Sequence, residues 1–513
     1  MEYFILTSKI VITLLYTLTL IFLCIFGLHR YYLSYLYGRN KNKIPVPMDR
    51  FAVLPKVTVQ LPVYNEMYVV ERLVDSVSGL DYPKDRLEIQ ILDDSTDRTT
   101  EIAAACAERY RAEGFNIKHL HRENRLGYKA GALREGLEKA EGELVAVFDA
   151  DYMHPPAFLR NTVDFFTDPK IGMVQVRWGH VNLDYSNLTR AQSILLDGHF
   201  VIEQTSRFNE GMFFNFNGTA GVIRKECIES SGGWQHDTLT EDLDLSYRAQ
   251  LAGWKLVYVK DMTADAELPV DMNAFKSQQH RWAKGGVQTA IKLLPRIFRD
   301  KSLPFRVKLE AFFHLFGNIS YLLLLLLFLL MFPVALFWRN LGWESGIVMN
   351  IFAIAAGTFS FVLFYIITVK EVHGKKWLGY LKYVPLAISI GAGMAVNNSK
   401  AVLEALLGKT SEFRRTPKFA VTSRTDNWRS RSYVASKELT AIVEIVFGLL
   451  FTVQTVFALY MGYLSWIPFL LLIQFGFFYT GLLSILHGSG KKGVPAGVNT
   501  IMPEPALPRD KEF

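Results

Sequence analysis

The sequence predicts an α/β domain with a mostly parallel sheet, joined to a bundle of membrane-spanning helices, and three observations predict it. Residues 56–270 alternate short apolar strands with amphipathic helices, the pattern that lays parallel strands beneath helices on both faces. The excess of apolar residues lies outside that region, in long runs at both ends of the chain. One strand, Glu143-Leu-Val-Ala-Val-Phe-Asp-Ala-Asp-Tyr152, ends in two carboxylates, Asp149 and Asp151, spaced two residues apart. Alternation along a strand puts both on one side, at the carboxyl end where open α/β sheets bind ligands. Such a pair suits Mg2+ or Mn2+, which completes its shell with phosphate oxygens and water and can steady a leaving group that departs with negative charge.

At 513 residues the chain is too long for one ordinary domain. Its net charge of +7 does not point to nucleic acid, because no basic run is interleaved with aromatics in the manner of a strand-binding surface. Cys24, Cys106 and Cys227 lie far apart, which suggests neither a disulfide framework nor a zinc site.

Residues 10–28 are uncharged and long enough to cross a bilayer core of about 30 Å. A secretory signal peptide is the competing reading, but no small-residue cleavage site follows and the run leads into Arg30, Arg39, Lys41 and Lys43. Residues 311–338 and 345–369 form two more spans, and 445–486 is long enough for two broken near Gly462 to Pro468. That makes five. The positive-inside rule places the basic flank and the α/β domain in the cytoplasm. Residues 383–399 are short for a span, and counting them would send an arginine-rich loop outside, so 377–408 reads as an interfacial helix.

Within the α/β region the first strand is Val57–Val63, running into Tyr64-Asn65-Glu66 and a helix from about 67 to 79. The second, Leu87–Leu92, ends in Asp93-Asp94-Ser95-Thr96-Asp97. These residues can cap the next helix, yet two acids at a strand's carboxyl end are also placed to meet a base or ribose. Lys129 falls in the first turn of a helix, where a cation opposes the macrodipole unless an anion is near; it is either a solvated lysine or a phosphate partner. A helix from about Pro155 to Phe166 follows the carboxylate strand.

Phe214–Gly221 is too rich in small residues for a helix and reads as a strand and turn approached closely by something. Thr240 can cap a helix whose first turn holds Glu241, Asp242 and Asp244. Acids there are ordinary dipole chemistry, although one of them could equally serve as a general base. Gln278-Gln-His-Arg281-Trp282 lies on an amphipathic stretch read as a helix at the membrane surface.

Taken together, Asp93-Asp94, Asp149-x-Asp151, Thr240-Glu241-Asp242 and Gln278-x-x-Arg281-Trp282, followed by membrane spans, resemble the processive family 2 glycosyltransferases of the cellulose synthase superfamily. Phe214–Gly221 is similar to the cellulose-synthase-like A and C groups and bacterial relatives, which make mannan, glucomannan or glucan backbones. The resemblance is strong over residues 56 to about 290. It implies a GT-A fold and a nucleotide-diphosphate sugar donor of the UDP-glucose or GDP-mannose type. It also implies a growing β-linked glycan as acceptor, and inversion at the transferred sugar.

By the same resemblance, Asp93 and Asp94 contact the nucleotide, while Lys129, Asp149 and Arg281 meet its diphosphate. Asp149 and Asp151 hold Mg2+ or Mn2+, with Asp151 the direct ligand. Asp242 is the general base, and Glu241, Gln278 and Trp282 meet the acceptor. Phe419-x-Val421-Thr422-x-Arg424 resembles the family's gating loop with arginine in place of the usual lysine, and is otherwise a basic inner loop. A pore built from five spans would call for a second copy of the chain.

The expected organisation is therefore 1–40 (first span and basic flank), 41–270 (catalytic domain), 271–310 (amphipathic interfacial helices) and 311–376 (two spans). It continues with 377–436 (interfacial helix and gating loop), 437–487 (two spans) and 488–513 (cytoplasmic tail). The expected location is a plasma or inner membrane, or the Golgi membrane of a eukaryote. Two other readings stay open: a single-transfer enzyme acting on a lipid, and a non-catalytic membrane scaffold or export module.

Overall fold

The computed structural model describes residues 2–338, 354–431, 433 and 440–488. Strands β1 (Val57–Val63), β2 (Leu87–Asp93), β3 (Asn116–His121), β4 (Leu144–Val147), β5 (Ile171–His180), β6 (Gly221–Arg224) and β7 (Lys255–Ala266) form one 7-stranded sheet. Its order is β3-β2-β1-β4-β6-β5-β7. β1 runs parallel to β2 and β4, β2 to β3, and β5 to β7; β6 alone is antiparallel to its neighbours. Every residue of β2 and β4 is buried, as expected of strands covered on both faces.

Alternation within β4 sends Leu144 and Ala146 into one hydrophobic cluster with Leu73, Val77 and Phe158. It sends Val145 and Val147 into another with Leu133, Leu137 and Leu245. These clusters are the two faces of the sheet. They leave its carboxyl edge, where β1, β2 and β4 all end, open to a crevice.

The helices are less regular than expected. The helix after β1 is Val70–Ser78. The stretch from Pro155 is a turn leading to short helical segments, Arg160–Val163 and Asp164–Thr167. The prolines at 155 and 156 bias the chain before them away from helix.

Outside the sheet, four helices among the described residues are long and apolar enough to cross a membrane: Leu6–Asn40, Ile319–Phe337, Thr440–Tyr460 and Leu464–Gly488. A fifth passes the same test only as a pair, Ala356–Gly393 with Ala395–Leu406, bent by 43°. Several boundaries differ from expectation. The first helix runs from Glu2 to Asn40, carrying the basic flank with it. Its last turns are buried: the Ser206 hydroxyl donates to Leu33 O at 3.0 Å, and Asn40 Nδ2 donates to Glu210 Oε1 at 2.6 Å. The expected span 311–338 is interrupted at Gly317–Asn318, between Phe305–Phe316 and Ile319–Trp338. Residues 345–353 of the next span and 489–513 of the tail lie outside the described residues. Residues 377–408 form several short helices, Val384–Gly393 and Ala395–Leu406 the longest, in place of one interfacial helix.

The largest correction concerns 271–310. Its first part is one helix, Met272–Arg299, capped by Asp271, whose Oδ1 accepts from Asn273 N at 2.6 Å. One side of this helix is packed inside the protein while Ile291 and Phe298 stay exposed. Lys276 and Lys284 on it are fully buried; the first donates to Glu444 Oε2 at 2.5 Å, and the second lies 3.1 Å from Glu404 Oε2. Side chains that read as solvent-facing are instead partnered inside, between the α/β domain and the helical bundle.

Two glycines set a close helix crossing in that bundle. A Cβ on Gly476 would lie 2.0 Å from Ser389 O, and one on Gly393 would lie 2.4 Å from Gly476 O. Close backbone approach through small residues is how membrane helices pack. Gly476→Ala is expected to cost about 1–3 kcal/mol through overpacking, read as a lower melting temperature of detergent-solubilised protein. Gly391→Ala, where a Cβ meets nothing within 4 Å, should leave melting unchanged.

Candidate active site

One cavity opens at the carboxyl ends of β1, β2 and β4. It is lined by Asp94, Lys129, Asp149, Asp151, Glu241, Asp242, Gln278, Arg281 and Trp282. Side chains taken from five separate stretches of sequence thus meet in one place. The carboxylate pair is reached differently from expectation. β4 ends at Val147, so Asp149 and Asp151 sit in the turn beyond it, where strand alternation does not apply. The turn is fixed instead by backbone bonds: Phe148 N donates to Gln60 O at 3.1 Å, and Asp149 N to Thr219 Oγ1 at 2.8 Å.

Lys129 stands in the first turn of helix Tyr128–Glu138, and its conflict with the helix dipole is resolved by carboxylates. Its Nζ donates to Asp149 Oδ1 at 2.5 Å and to Gly218 O at 2.9 Å, and lies 4.0 Å from Glu241 Oε1. Burial pulls the ammonium down, but Asp149 and Glu241 raise it above its usual range. Gly218 has φ +78°, and a Cβ there would sit 2.8 Å from Asp242 Oδ2, so the segment before β6 is glycine where the backbone passes the acid. This is the close approach that its small residues imply.

Asp242 belongs to helix Glu241–Leu251, which Thr240 precedes without capping it; the Thr240 hydroxyl turns instead toward Thr289 Oγ1, 3.4 Å away. Burial, and then the neighbouring Glu241 charge, push the Asp242 carboxyl up to about 7. A carboxylate tuned to that range is suited to take a proton near neutrality.

Asp93 and Asp94 separate. Asp94 lines the cavity and is gripped by Arg122, whose Nε and Nη2 donate to its two oxygens at 2.7 and 2.6 Å. Asp93 is fully buried and does not line the cavity. Its oxygens are occupied by Ser95 N at 2.8 Å and by the His119 and His121 rings, each at 3.0 Å. Burial alone would raise it, but these bonds hold it well below the usual carboxylate range. It braces the end of β2, and Asp94 alone faces the cavity.

Residues 409–431, which follow the Ala395–Leu406 helix, cross the mouth of the cavity as a strap. Phe419 and Val421 are buried in a cluster with Val270 and Tyr433, beside the cavity. Thr422 N donates to Asp426 Oδ2 at 2.8 Å and Arg424 Nε to Asp184 O at 2.7 Å, so neither residue lines the cavity. The residues ahead of the motif reach in instead. The Arg281 guanidinium stacks 4.7 Å from the Phe413 ring centroid and donates to Arg414 O at 2.7 Å. Arg415 Nη1 lies 3.1 Å from Glu66 Oε2, and Lys418 Nζ donates to Asp151 Oδ2 at 2.6 Å.

Glu66, Glu267, Arg122, Arg125, Phe413, Arg415, Lys418 and Trp178 were not singled out from sequence. Lys418 stands immediately before Phe419 in the basic segment, and that adjacency was its only signal. Burial pushes Glu66 up to about 8 against the pull of Arg415, and Glu267 up to about 7 against that of Lys418. Trp178 approaches Trp282, ring centroids 6.3 Å apart, giving one wall an aromatic surface. The four non-glycine residues with positive φ among those described, Asn65, Tyr128, Ala220 and Ala420, all stand next to this cavity or in the strap.

Residues 55–285 match the family described as glycosyltransferase-like family 2. The chain carries a family 2 glycosyltransferase domain. The match spans the whole sheet and the part of helix Met272–Arg299 that bears Gln278, Arg281 and Trp282. Among curated proteins the chain is similar to glucomannan 4-beta-mannosyltransferase 2 of Arabidopsis thaliana, 43% identical over 268 residues, 51% of this chain and 50% of that one. It is 42% identical to glucomannan 4-beta-mannosyltransferase 1 of Oryza sativa subsp. japonica over 281 residues, 53% of this chain and 54% of that one. These alignments span about half the length of the relatives. Among solved structures it resembles mannosyltransferase PcManGT from Pyrobaculum calidifontis, in complex with GDP-Man and Mn2+, with a TM-score of 0.55 and 21% identity. That match covers 77% of this chain and all of the other, and it shows the GT-A fold.

The Asp94–Arg122 pair is a buried structural element of the site. Arg122→Met leaves an uncompensated carboxylate and is expected to destabilise the protein by about 3 kcal/mol, seen as a lower melting temperature. Adding Asp94→Asn should restore a measurable part of that loss.

Proposed function

We propose that this protein is a membrane-embedded, inverting hexosyltransferase that extends a β-linked polysaccharide of mannan or glucomannan type from a nucleotide-diphosphate sugar, and passes it out through its own helices. The single observation that carries this reading is Asp242: a carboxylate pushed up to about 7, in one cavity with Lys129, Arg281 and the aromatic wall of Trp178 and Trp282. The relatives' names, glucomannan 4-beta-mannosyltransferase, support a mannosyl donor, and the complex of PcManGT with GDP-Man and Mn2+ is consistent with one.

Asp149 and Asp151 fit a hard divalent cation. Both offer oxygen donors at the cavity floor, and among the described residues no group of three His, Cys, Asp or Glu forms a complete protein cage, so phosphate oxygens and water would fill the remaining positions. Mg2+ or Mn2+ held there would supply neutralising charge to the diphosphate. The chain's own groups do the rest. Asp242 takes the proton of the acceptor hydroxyl, whose oxygen forms a bond to the anomeric carbon. The bond from that carbon to the diphosphate oxygen breaks, and its electron pair leaves with the diphosphate. One displacement inverts an α-linked donor into a β-linked product. Lys129 and Arg281 offset the growing negative charge. Trp282, with Gln278 and Glu241 beside it, gives the acceptor sugar a face to stack on and polar edges to meet. Asp94 is the acid placed to contact the nucleotide. The Phe419–Arg424 segment serves as the gating loop at the mouth, and the α/β domain lies in the cytoplasm.

Purified protein in nanodiscs, given Mn2+ with radiolabelled GDP-mannose or UDP-glucose in separate reactions, is expected to make a long polymer that β-mannanase digests. Asp242→Asn should make none. A labelled product of lipid size would contradict the polymerase reading. Because the base must be ionised, activity should rise with pH through about 7. Glu241→Gln removes the second cause of the raised value, so the acidic limb of the pH profile should move to lower pH by up to about one unit.

A further inference from the structure

We infer that Lys418 is a positioning residue for the proposed cation site, holding Asp151 before a divalent ion arrives and then passing to Glu267; the inference rests on the reading of Asp151 as a metal ligand. Asp151 is almost fully buried, and its Oδ2 already accepts two hydrogen bonds, from Lys418 Nζ at 2.6 Å and from Glu267 N at 3.2 Å. An ammonium and a divalent cation cannot share that oxygen at bonding distance without strong repulsion in so dry a site. The lysine therefore holds one of the two oxygens that Asp151 can offer an ion.

The structure also supplies the place to which it can move. Glu267 ends the path of β7 into the cavity, and its Oε1 accepts from Phe419 N, one residue beyond Lys418, at 3.0 Å. Its Oε2 is buried and makes no hydrogen bond among the described residues. A buried carboxylate oxygen left unpaired is costly, and the Lys418 ammonium, on a flexible four-carbon stem, is near enough to interact electrostatically with Glu267. The strap itself need not leave. It stays anchored by Phe419 and Val421 in their apolar cluster, by Arg415 on Glu66, and by the Tyr433 hydroxyl on Asp97.

Lys418 thus has a carboxylate partner in either state. Before the ion arrives, Lys418 neutralises Asp151; afterwards, it neutralises Glu267. Neither residue touches substrate in this scheme, and both act through Asp151.

The test is equilibrium binding of Mn2+ alone to the full-length protein in detergent, with free Mn2+ counted by electron paramagnetic resonance. Lys418→Met is expected to tighten Mn2+ binding by about tenfold, because the competitor is gone. Lys418→Arg, which keeps the charge, should bind like the parent. Glu267→Gln should weaken binding several-fold in the parent background and much less in the Lys418→Met background, since its effect runs through the lysine. Equal affinity of Lys418→Met and parent, or an undiminished Glu267→Gln effect in the double variant, would overturn the exchange while leaving the metal site standing. Mn2+ binding to none of the proteins, with each shown to melt like the parent, would overturn the metal reading itself and this inference with it.

Discussion

Crowding of buried carboxylates at one edge of the sheet is the constraint on which the rest of this structure depends. Glu66, Asp94, Asp149, Asp151, Glu241, Asp242 and Glu267 all line one cavity, most of them out of reach of bulk water. Burial of that much like charge would be prohibitive without compensation. The cations that offset it come from separate parts of the chain: Arg122 and Lys129 flank the start of one helix, Arg281 sits on the long helix after β7, and Arg415 and Lys418 come from the strap between bundle helices. The catalytic domain and the helical bundle are therefore electrostatically one object. The strap is part of the charge balance of the site and more than a cover over it.

The same crowding helps to explain why the Asp242 carboxyl is pushed up to about 7. Asp242 shares its site with Glu241 and Asp149 while the nearest ammonium, Lys129, is spent mainly on Asp149. Burial raises it first, and the remaining charge imbalance adds to that. A strand-end turn, a helix start and a glycine-lined backbone must converge to produce that imbalance, and their convergence accounts for the left-handed backbone at Tyr128 and Ala220.

Much of this was legible in the sequence. The strands β1 and β2 lie where their apolar residues put them, although the polar residues that alternate with these, Thr58, Gln60, Glu88 and Gln90, are buried as well. Asp149, Asp151, Lys129 and Asp242 were visible as polar groups at or just beyond the ends of strands and helices, where periodicity alone gives them no packing role. Asp93 was misplaced because adjacency does not tell which of two neighbouring acids faces the cavity; the pleat turns one toward His119 and His121 and the other outward. Helix Met272–Arg299 was misread for a related reason. Lys276 and Lys284 look solvent-seeking until Glu444 and Glu404, more than a hundred residues away, are brought beside them. The partnership of Lys418 with Asp151 spans 267 positions and has no local signature at all.

The most direct measurement is a structure of the protein with GDP and Mn2+, with the ion located by its anomalous scattering. A charge-compensated carboxylate floor built to receive a metal-bound diphosphate predicts one Mn2+ within about 2.2 Å of an Asp151 oxygen, bridged to the diphosphate, with Lys129 and Arg281 on the phosphates. A nucleotide seated in the cavity with no ion at Asp149 or Asp151, or an ion bound away from both, would contradict it.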